Sequence, residues 1–390
     1  MVSMSTDTLA APDPALLRRA RQLPKVLLHE HLDGGLRLAT LLALLRERGI
    51  AAPTADEDSL AAWFDARAHA GSLLEYLRGF DLTVAAMATP EGLERVAFEA
   101  AEDARAEGCV LAEFRIAPLL FEAHGVAGEA AVTALLDGLS RSPLPSGLIV
   151  CAMRHESDDH IARAAELAIA CHRPAGGPAL RPAAARVIGF DLAGPEAGWP
   201  ASRHAALLAR VRNAGLGLTL HAGEADGGER VLEAVRLGAQ RIGHGVRLVD
   251  LIGDLSGDRR GDPTADPIAD RPAAAQLLAE LKARGTHLEI CPTSNLHTGA
   301  AASLALHPIH ALWRAGLSLS FHTDNRLMSR VDHSTEAARL VAAGFGWSDL
   351  VQMGLDAAQA SFLPAAARQG AMAALRRWAA AEGLAAATRN

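Results

Sequence analysis

Apolar residues in this chain follow two alternating periodicities. Short runs rich in aliphatic and β-branched residues are typical of buried strands, and the longer Ala-, Leu-, Glu- and Arg-rich stretches between them have helical spacing. There are eight strand-like runs, and a stretch with a helical pattern follows each of them. The predicted strands cover residues 26–31, 109–116, 148–153, 186–192, 216–221, 241–244, 286–291 and 317–322.

Strands that alternate with helices imply a parallel sheet, and eight such units over 390 residues favour a closed (β/α)8 TIM barrel. Residues 36–107 are helical throughout, which is too much for one crossover helix, so we expect a helical cap inserted after the first strand. A doubly wound open sheet is the alternative fold. It is disfavoured because no G-x-G-x-x-G or Walker sequence opens a helix.

The ends of the chain and one internal stretch differ in composition from the barrel. We expect a disordered arm over residues 1–14, the barrel over 15–365 and a C-terminal helix over 366–390. Residues 253–271 are rich in Gly, Asp and Pro, which predicts a long surface loop.

Composition narrows the class of protein. Hydrophobic residues make up 50% of the chain, charged residues 21%, and the formal net charge is -7, which predicts a soluble protein without a nucleic-acid or anionic-membrane partner. No apolar run approaches the roughly 18 residues of a membrane span, and no signal peptide is evident, so we expect a cytoplasmic protein.

The four cysteines have no C-x-x-C spacing, and three lie in apolar runs, which predicts buried thiols without disulfides.

Polar side chains cluster where the predicted strands end. In a barrel the carboxyl ends of the strands form one mouth, which is where such enzymes hold their chemistry. Twelve residues fall at or just after these ends: His29, His31, Arg115, Arg154, His155, Asp191, His221, Glu224, His244, Asn295, Asp324 and Asn325.

Some of these residues have the spacing of a metal site. His29 and His31 are two apart on a strand, so both would project from one face. His221 ends the fifth strand, and Asp324 ends the eighth, which neighbours the first in a closed barrel. Three imidazoles and one carboxylate fit a single Zn²⁺ per chain with one open position. Glu224 follows His221 by three residues and is placed for proton transfer, and His244 offers a second titratable group.

A zinc-bound water has a pKa near 7, so this constellation predicts hydrolysis or hydrolytic deamination. The H-x-E with P-C-x-x-C signature of cytidine-type deaminases is absent, and so is H-E-x-x-H of metalloproteases. The remaining histidines in helical or loop context are predicted to lie at the surface: His69, His124, His160, His172, His204, His307 and His310.

A series of motifs, in order from about residue 24 to 364, resembles the adenosine deaminase family of the amidohydrolase superfamily. The resemblance implies a TIM barrel and a zinc-dependent aminohydrolase that converts adenosine and 2'-deoxyadenosine to the inosines plus ammonia in purine salvage. The motifs are PKVLLHEHLDGGLRLAT, SLLEYLRGFDLTV, LAEFRIAP, MRH, GFDLAGPEAG, HAGE, RIGHGVR, CPTSN, HTDNRLMS and SFLP.

The resemblance also implies a role for individual residues. Zinc would be bound by His29, His31, His221 and Asp324. Glu224 would protonate purine N1, while His244 and Asp324 position and deprotonate the attacking water. Substrate contacts would come from His31, Asp33, Gly194 and Asn325, with Asp33 facing the ribose and Gly194 facing purine N3.

The chain departs from the common family pattern NTDD, because it has His322 and Asn325 at the first and last positions. This departure bears on which nucleoside is preferred. A deaminase of another 6-aminopurine, such as adenine or 6-aminodeoxyfutalosine, is the first alternative. A catalytically silent nucleoside-binding protein is the second, and intact Glu224 and His244 disfavour it. A phosphotriesterase-like or amidase activity is the third, disfavoured because no bridging lysine for a second metal is apparent.

Overall fold

Eight parallel strands lie side by side in chain order in this computed structural model. The structure describes residues 9, 11–68, 73–172, 185–252 and 272–385. The strands are β1 Lys25–Leu27, β2 Cys109–Ile116, β3 Ser146–Met153, β4 Val187–Ala193, β5 Gly217–Ala222, β6 Arg241–His244, β7 His287–Ile290 and β8 Ser318–Phe321.

The barrel is brought to closure between β8 and β1 by a short backbone bridge just past both strands. The N–H of Asp324 donates to the carbonyl of His29 at 3.0 Å, and the N–H of His31 donates to the carbonyl of Asp324 at 2.7 Å. Each buried backbone group needs such a partner. The predicted TIM barrel is therefore confirmed, and its seam coincides with two of the predicted metal-binding segments.

The first strand is shorter than the predicted range 26–31. Regular pairing ends at Leu27, and Glu30 and His31 form only isolated bridges. The cause is local, because the N–H of Leu28 is hydrogen bonded to Nδ1 of His322 at 3.2 Å instead of joining a strand ladder. The other seven strands lie within two residues of their predicted ends.

Sixteen α-helices accompany the strands in the described residues. They are α1 Pro14–Gln22, α2 Leu38–Glu47, α3 Glu57–Ala68, α4 Leu73–Met87, α5 Pro90–Ala106, α6 Gly128–Arg141, α7 Asp158–Cys171, α8 Ala205–Asn213, α9 Glu229–Arg236, α10 Val249–Ile252, α11 Pro272–Arg284, α12 Pro292–His297, α13 Ile309–Arg314, α14 His333–Ala342, α15 Trp347–Ala360 and α16 Ala365–Ala381. Short 3-10 helices span Leu32–Gly34, Pro118–His124, Ala201–His204 and Val246–Leu248.

Helices fill the predicted cap region, although its last helix belongs to the outer ring of the barrel. Helix α5 packs tightly on α6, so closely that a side chain at Gly138 would meet the carbonyl oxygen of Glu94 at 2.1 Å. Helices α2, α3 and α4 contact one another, and α4 also contacts the 3-10 helix Leu32–Gly34 near the barrel mouth. The inserted helices therefore cover the mouth on the side of β1.

The amino-terminal end of the barrel is filled by the SFLP motif. The ring of Phe362 occupies the space that a side chain at Gly217 would need, at 2.3 Å from its ideal Cβ. The guanidinium of Arg241 lies 3.8 Å from the centre of this ring, and the N–H of Phe362 donates to Glu113 at 2.7 Å. An aromatic ring with a stacked guanidinium therefore closes the end opposite the mouth.

Several predictions concern residues at the edge of what is described. Most of the predicted arm, residues 1–8 and 10, lies outside the described residues, as do the predicted loop 253–271 and residues 386–390. Helix α1 begins at Pro14, because Asp13 caps it by accepting from the N–H of Ala15 at 2.7 Å. A C-terminal helix is present as α16, but it ends at Ala381, so the predicted helix is too long over residues 382–385.

The cysteines agree with the prediction of free thiols, and three of the four are buried.

Among the described residues, no single helix is long and apolar enough to cross a membrane. One consecutive pair, Pro118–His124 with α6, meets the length and composition criteria together, but bends by 118° between its members.

Candidate active site

The four predicted metal ligands, His29, His31, His221 and Asp324, form a cup at the barrel mouth, and the buried ring of His244 lies against it. In His29, His221, His244 and Asp324, one potential ligand atom of each lies within 4.8 Å of the others. Nε2 of His31 lies 3.3 Å from Nε2 of His221 and 3.5 Å from Oδ1 of Asp324. Nε2 of His29 lies 3.3 Å from the same oxygen. The structure thus brings together all four predicted metal ligands, with His244 as a fifth side chain against them.

Two carboxylates behind the cup set the direction in which two of the rings point. Nδ1 of His29 lies 2.9 Å from Oε2 of Glu289, and Nδ1 of His221 lies 2.9 Å from Oδ2 of Asp191. A neutral imidazole that donates from Nδ1 presents a lone pair at Nε2. Both lone pairs therefore face into the cup, as in the carboxylate–histidine–metal arrangement of protein metal sites.

The electrostatics of the cup suit a cation. Burial lowers the pKa of His31 well below its usual range and that of His221 to about 4, so both rings are neutral ligands at pH 7. Burial would also lower the pKa of His29, but the neighbouring carboxylates of Asp324 and Glu289 leave it raised. Among the described residues, Nε2 of His29 has no hydrogen-bond partner. A buried nitrogen that faces a carboxylate in this way is a place for a positive charge, and a metal ion fits it.

The guanidinium of Arg115 joins the two orienting carboxylates. It donates from Nη1 to Asp191 at 2.7 Å, and from Nη2 to Glu289 at 2.6 Å and to the carbonyl of Leu28 at 2.8 Å. Arg241 lies 2.6 Å from the other oxygen of Glu289. These positive charges overcome the effect of burial and keep the pKa of Glu289 well below its usual range. Arg115 was predicted at the mouth, but its side chain turns into the barrel interior, where it is fully buried.

Glu224 lies beside the cup on the loop after β5. Its Oε1 accepts from the hydroxyl of Thr298 at 3.0 Å, and its Oε2 lies 3.5 Å from Nε2 of His244. The side chain is 22% exposed, so it can reach a molecule in the mouth. Burial raises the pKa of this carboxyl. A carboxyl with a raised pKa is suited to donate a proton near neutral pH.

His244 and Asp324 are held in an unusual backbone conformation. Both have positive φ, 64° and 60°, which is uncommon outside glycine and tends to occur at functional sites. The amide nitrogen of Asn295 lies 3.1 Å from Nδ1 of His244, and Nε2 of the same ring lies 3.5 Å from Oε2 of Glu224. The hydroxyl of Ser294 donates to Oδ2 of Asp324 at 2.6 Å and leaves Oδ1 facing the cup.

Two of the predicted substrate residues, Asp33 and Asn325, lie on the β1 and β8 side of the mouth. Burial raises the pKa of Asp33 to about 7, and among the described residues its Oδ1 has no hydrogen-bond partner. The amide oxygen of Asn325 packs against Gly34, where an ideal Cβ would meet it at 2.1 Å. Gly194 lies apart from this pair, after β4, with a φ of 88° and its Cβ position 3.1 Å from Nδ1 of His155.

His322, the first departure from the common family pattern, does not face the mouth. Its Nδ1 accepts from the N–H of Leu28 at 3.2 Å, and its Nε2 lies 2.6 Å from the hydroxyl of Ser320. Both nitrogens are therefore engaged inside the barrel wall. Of the two departures, Asn325 is the one that lies next to the cup, directly after Asp324 and against Gly34.

Sequence reasoning missed residues that support the site. Glu289 lies inside the apolar run of β7, and a lone carboxylate in such a run is a signal that could have marked it. Glu196 and Thr298 contact the Glu224 loop and had no spacing that would identify them. The surface prediction is wrong for His204 and His307, which are 8% and 1% exposed. Nδ1 of His307 accepts from the N–H of Ile309 at the start of α13 at 3.0 Å. His69 lies outside the described residues.

An eight-stranded parallel barrel with imidazoles and a carboxylate gathered at its carboxyl-terminal mouth defines the class of barrel hydrolases. The family model described as adenosine deaminase matches residues 24–378 of the chain. An adenosine deaminase of Mycobacterium bovis (strain BCG / Pasteur 1173P2) is 41% identical over 360 residues, which cover 89% of this chain and 92% of that protein. The chain belongs to the adenosine deaminase family.

Solved structures agree with the fold. An adenine deaminase from Arthrobacter aurescens matches with a TM-score of 0.77 and 23% identity, covering 92% of this chain and 99% of that one. An amidohydrolase from Burkholderia ambifaria with bound Zn matches with a TM-score of 0.75 and 23% identity, covering 95% and 94%. At these identities the comparison supports the barrel fold alone.

We predict that Arg115→Lys weakens zinc binding by roughly 10- to 100-fold, the usual cost of losing a partner of the metal ligands. Lysine keeps the positive charge, but its ammonium group cannot bind Asp191 and Glu289 together with the fixed planar geometry of a guanidinium. Isothermal titration of metal-free protein with zinc measures this, and the parent should bind one equivalent. Arg37→Lys is the control, because Arg37 makes an exposed two-pronged contact with Asp103. Equal zinc affinity in Arg115→Lys and parent protein would contradict the role of Arg115.

Proposed function

We propose that this chain is a mononuclear zinc aminohydrolase that converts adenosine and 2'-deoxyadenosine to inosine and 2'-deoxyinosine, with release of ammonia. The observation that carries the proposal is the cup of His29, His31, His221 and Asp324 beside Glu224. Zinc would be held by the three Nε2 atoms and Oδ1 of Asp324, and when bound it supplies a water acidic enough to attack at neutral pH.

The surrounding side chains account for the movement of protons. The carboxylate of Asp324 is placed to accept a proton from the attacking water, and Nε2 of His244 is placed to orient that water. Glu224 gives its proton to purine N1 as the water oxygen adds to C6. Asp324 then passes the proton it took from the water to the amino nitrogen, the bond from C6 to that nitrogen breaks, and ammonia leaves. The C6 hydroxyl becomes the carbonyl of the product, and its proton returns to Glu224. Glu224 is suited to the donor role because burial raises its pKa.

Asp33 supports a nucleoside rather than a free base as substrate. Its carboxyl is buried, and one oxygen has no hydrogen-bond partner among the described residues, which is costly unless a ligand supplies a donor. A ribose hydroxyl can supply that donor, and adenine has no group in the same place. Together with Gly194 and Asn325, Asp33 would then bind the nucleoside, and His31 would contact it as well as hold the metal.

Ammonia release from zinc-loaded protein tests the proposal directly. We expect adenosine and 2'-deoxyadenosine to be turned over with similar kcat/KM, and adenine and 6-aminodeoxyfutalosine to be much poorer. A preference for adenine would favour the alternative deaminase. Binding of adenosine without any release of ammonia would favour a silent nucleoside-binding protein.

Glu224→Gln should lose roughly 10²- to 10⁴-fold in kcat, the usual contribution of general acid catalysis. The amide keeps the shape of the side chain but has no proton of suitable acidity for N1. Zinc content should equal that of the parent, since Glu224 is outside the proposed ligand set. Glu122→Gln serves as control, because Glu122 pairs with Arg163 on the surface. Turnover by Glu224→Gln within about tenfold of the parent would rule out this role.

We expect the amide of Asn325 to donate a hydrogen bond to purine N7. That nitrogen accepts a hydrogen bond, and an amide donates at any working pH. We therefore expect 7-deazaadenosine, which has a C–H at this position, to be poorer than adenosine by roughly 1 to 3 kcal/mol in kcat/KM, the cost of an unpaired buried polar group. Asn325→Leu should remove the difference between the two substrates.

A second variant tests the same contact without changing Asn325. Gly34→Ala would place a methyl group against the amide oxygen of Asn325 and displace it. It should therefore also reduce the difference between adenosine and 7-deazaadenosine. Equal kcat/KM for the two substrates in the parent protein would show that Asn325 does not contact N7.

A further inference from the structure

Glu196 is a buried carboxylate that the proposed mechanism does not use. It lies between β4 and the 3-10 helix Ala201–His204 and is 4% exposed. Its Oε1 accepts from the N–H of Gly223 at 2.5 Å. Its Oε2 accepts from the N–H groups of Glu224, Ala225 and Asp226 at 3.0, 3.0 and 3.1 Å. One side chain therefore binds four consecutive backbone amides of the loop that carries Glu224.

The shape of this loop explains why an anion is needed there. Successive N–H groups that point the same way form a concavity that binds negative charge. Gly223 makes the turn possible with a φ of 69°, and a Cβ there would meet Val231 at 2.5 Å. Gly223 is buried, Glu224 and Asp226 are half-buried and Ala225 is exposed, so without Glu196 these four N–H groups would need other acceptors from the protein or from solvent. The loop would have to change conformation to find them.

The carbonyl side of the same segment is held by a cation. Arg154, 2% exposed, donates from Nη2 to the carbonyls of Leu192 and His221 at 2.6 and 2.5 Å. Arg154 thus fixes the end of β5, and Glu196 fixes the loop that follows. Because Glu196 binds four donors of the protein itself, it is not free to contact metal or substrate.

We propose that Glu196 is a positioning residue for Glu224, holding the loop 223–226 so that the Glu224 carboxyl lies between His244 and Thr298. The proposal rests on the role of Glu224 as the proton donor. A carboxyl displaced by about 1 Å can lose roughly 10²-fold in rate, since proton transfer depends on close approach to the substrate. Glu196 would therefore act on kcat and have little effect on the binding of zinc.

The first test compares Glu196→Ala, Glu196→Gln and a matched control. Glu233→Ala removes a carboxylate that also accepts from a backbone N–H, that of Ser202 at 2.6 Å. Glu233 accepts from no backbone N–H of the Glu224 loop among the described residues and is linked to that loop only indirectly, through Arg230, which donates to both Glu233 and Asp226. We expect kcat for adenosine to fall roughly 10- to 100-fold in Glu196→Ala, with KM and zinc content close to the parent. The kcat of Glu196→Gln, which keeps one acceptor oxygen, should lie between those of the parent and of Glu196→Ala. The kcat of Glu233→Ala should resemble that of the parent.

Hydrogen exchange gives a readout that is independent of activity. Peptides covering residues 223–226 should exchange faster in Glu196→Ala than in the parent, while Glu233→Ala leaves them unchanged. If Glu196→Ala does not fold, Glu196→Gln carries the test alone. Unchanged exchange together with unchanged kcat in the folded variant would overturn the proposal.

A double-mutant cycle separates positioning from general damage. In the Glu224→Gln background, Glu196→Ala should cost less than about threefold further, because the group it positions is already inactive. An equal loss in both backgrounds would show that Glu196 supports the fold and not the proton donor. Failure of the proposed function would look different, because the parent would then release no ammonia from adenosine, or Glu224→Gln would remain active.

Discussion

The contact of Arg115 with two buried carboxylates is the interaction on which the candidate site depends. Asp191 and Glu289 each hold one histidine of the cup, and Arg115 holds both carboxylates. Buried ion pairs often stabilise a fold no better than apolar residues of similar size would. A network of this kind is therefore better explained by the orientation it gives to His29 and His221 than by its contribution to stability.

Closure of the barrel and placement of the metal cup are a single structural constraint. The backbone bonds that join β8 to β1 involve His29, His31 and Asp324 themselves. Displacing one of these residues would therefore disturb the seam as well as the cup. His322 belongs to the same seam, because it accepts the Leu28 N–H that no neighbouring strand takes up. Its difference from the common family pattern is accommodated within the barrel wall.

Sequence reasoning predicted the barrel and the residues at its mouth because both depend on local pattern. Apolar runs mark strands, and polar residues just after them mark the mouth. The residues that support the site escaped this reasoning because their roles depend on partners far away in the chain. Glu289 holds a histidine 260 positions earlier, and Glu196 binds amides about 30 positions later. His307 shows the same limit, since a histidine in loop context can still be buried by tertiary packing.

The carboxylates behind the cup orient its histidine rings before a metal enters. Crystal structures of the zinc-loaded and the metal-free protein would test this most directly. We expect zinc on Nε2 of His29, His31 and His221 and on Oδ1 of Asp324, with the rings of His29 and His221 in the same orientation in both structures. Zinc bound through His244 in place of His31, or rings that turn away from Glu289 and Asp191 when zinc is removed, would contradict it.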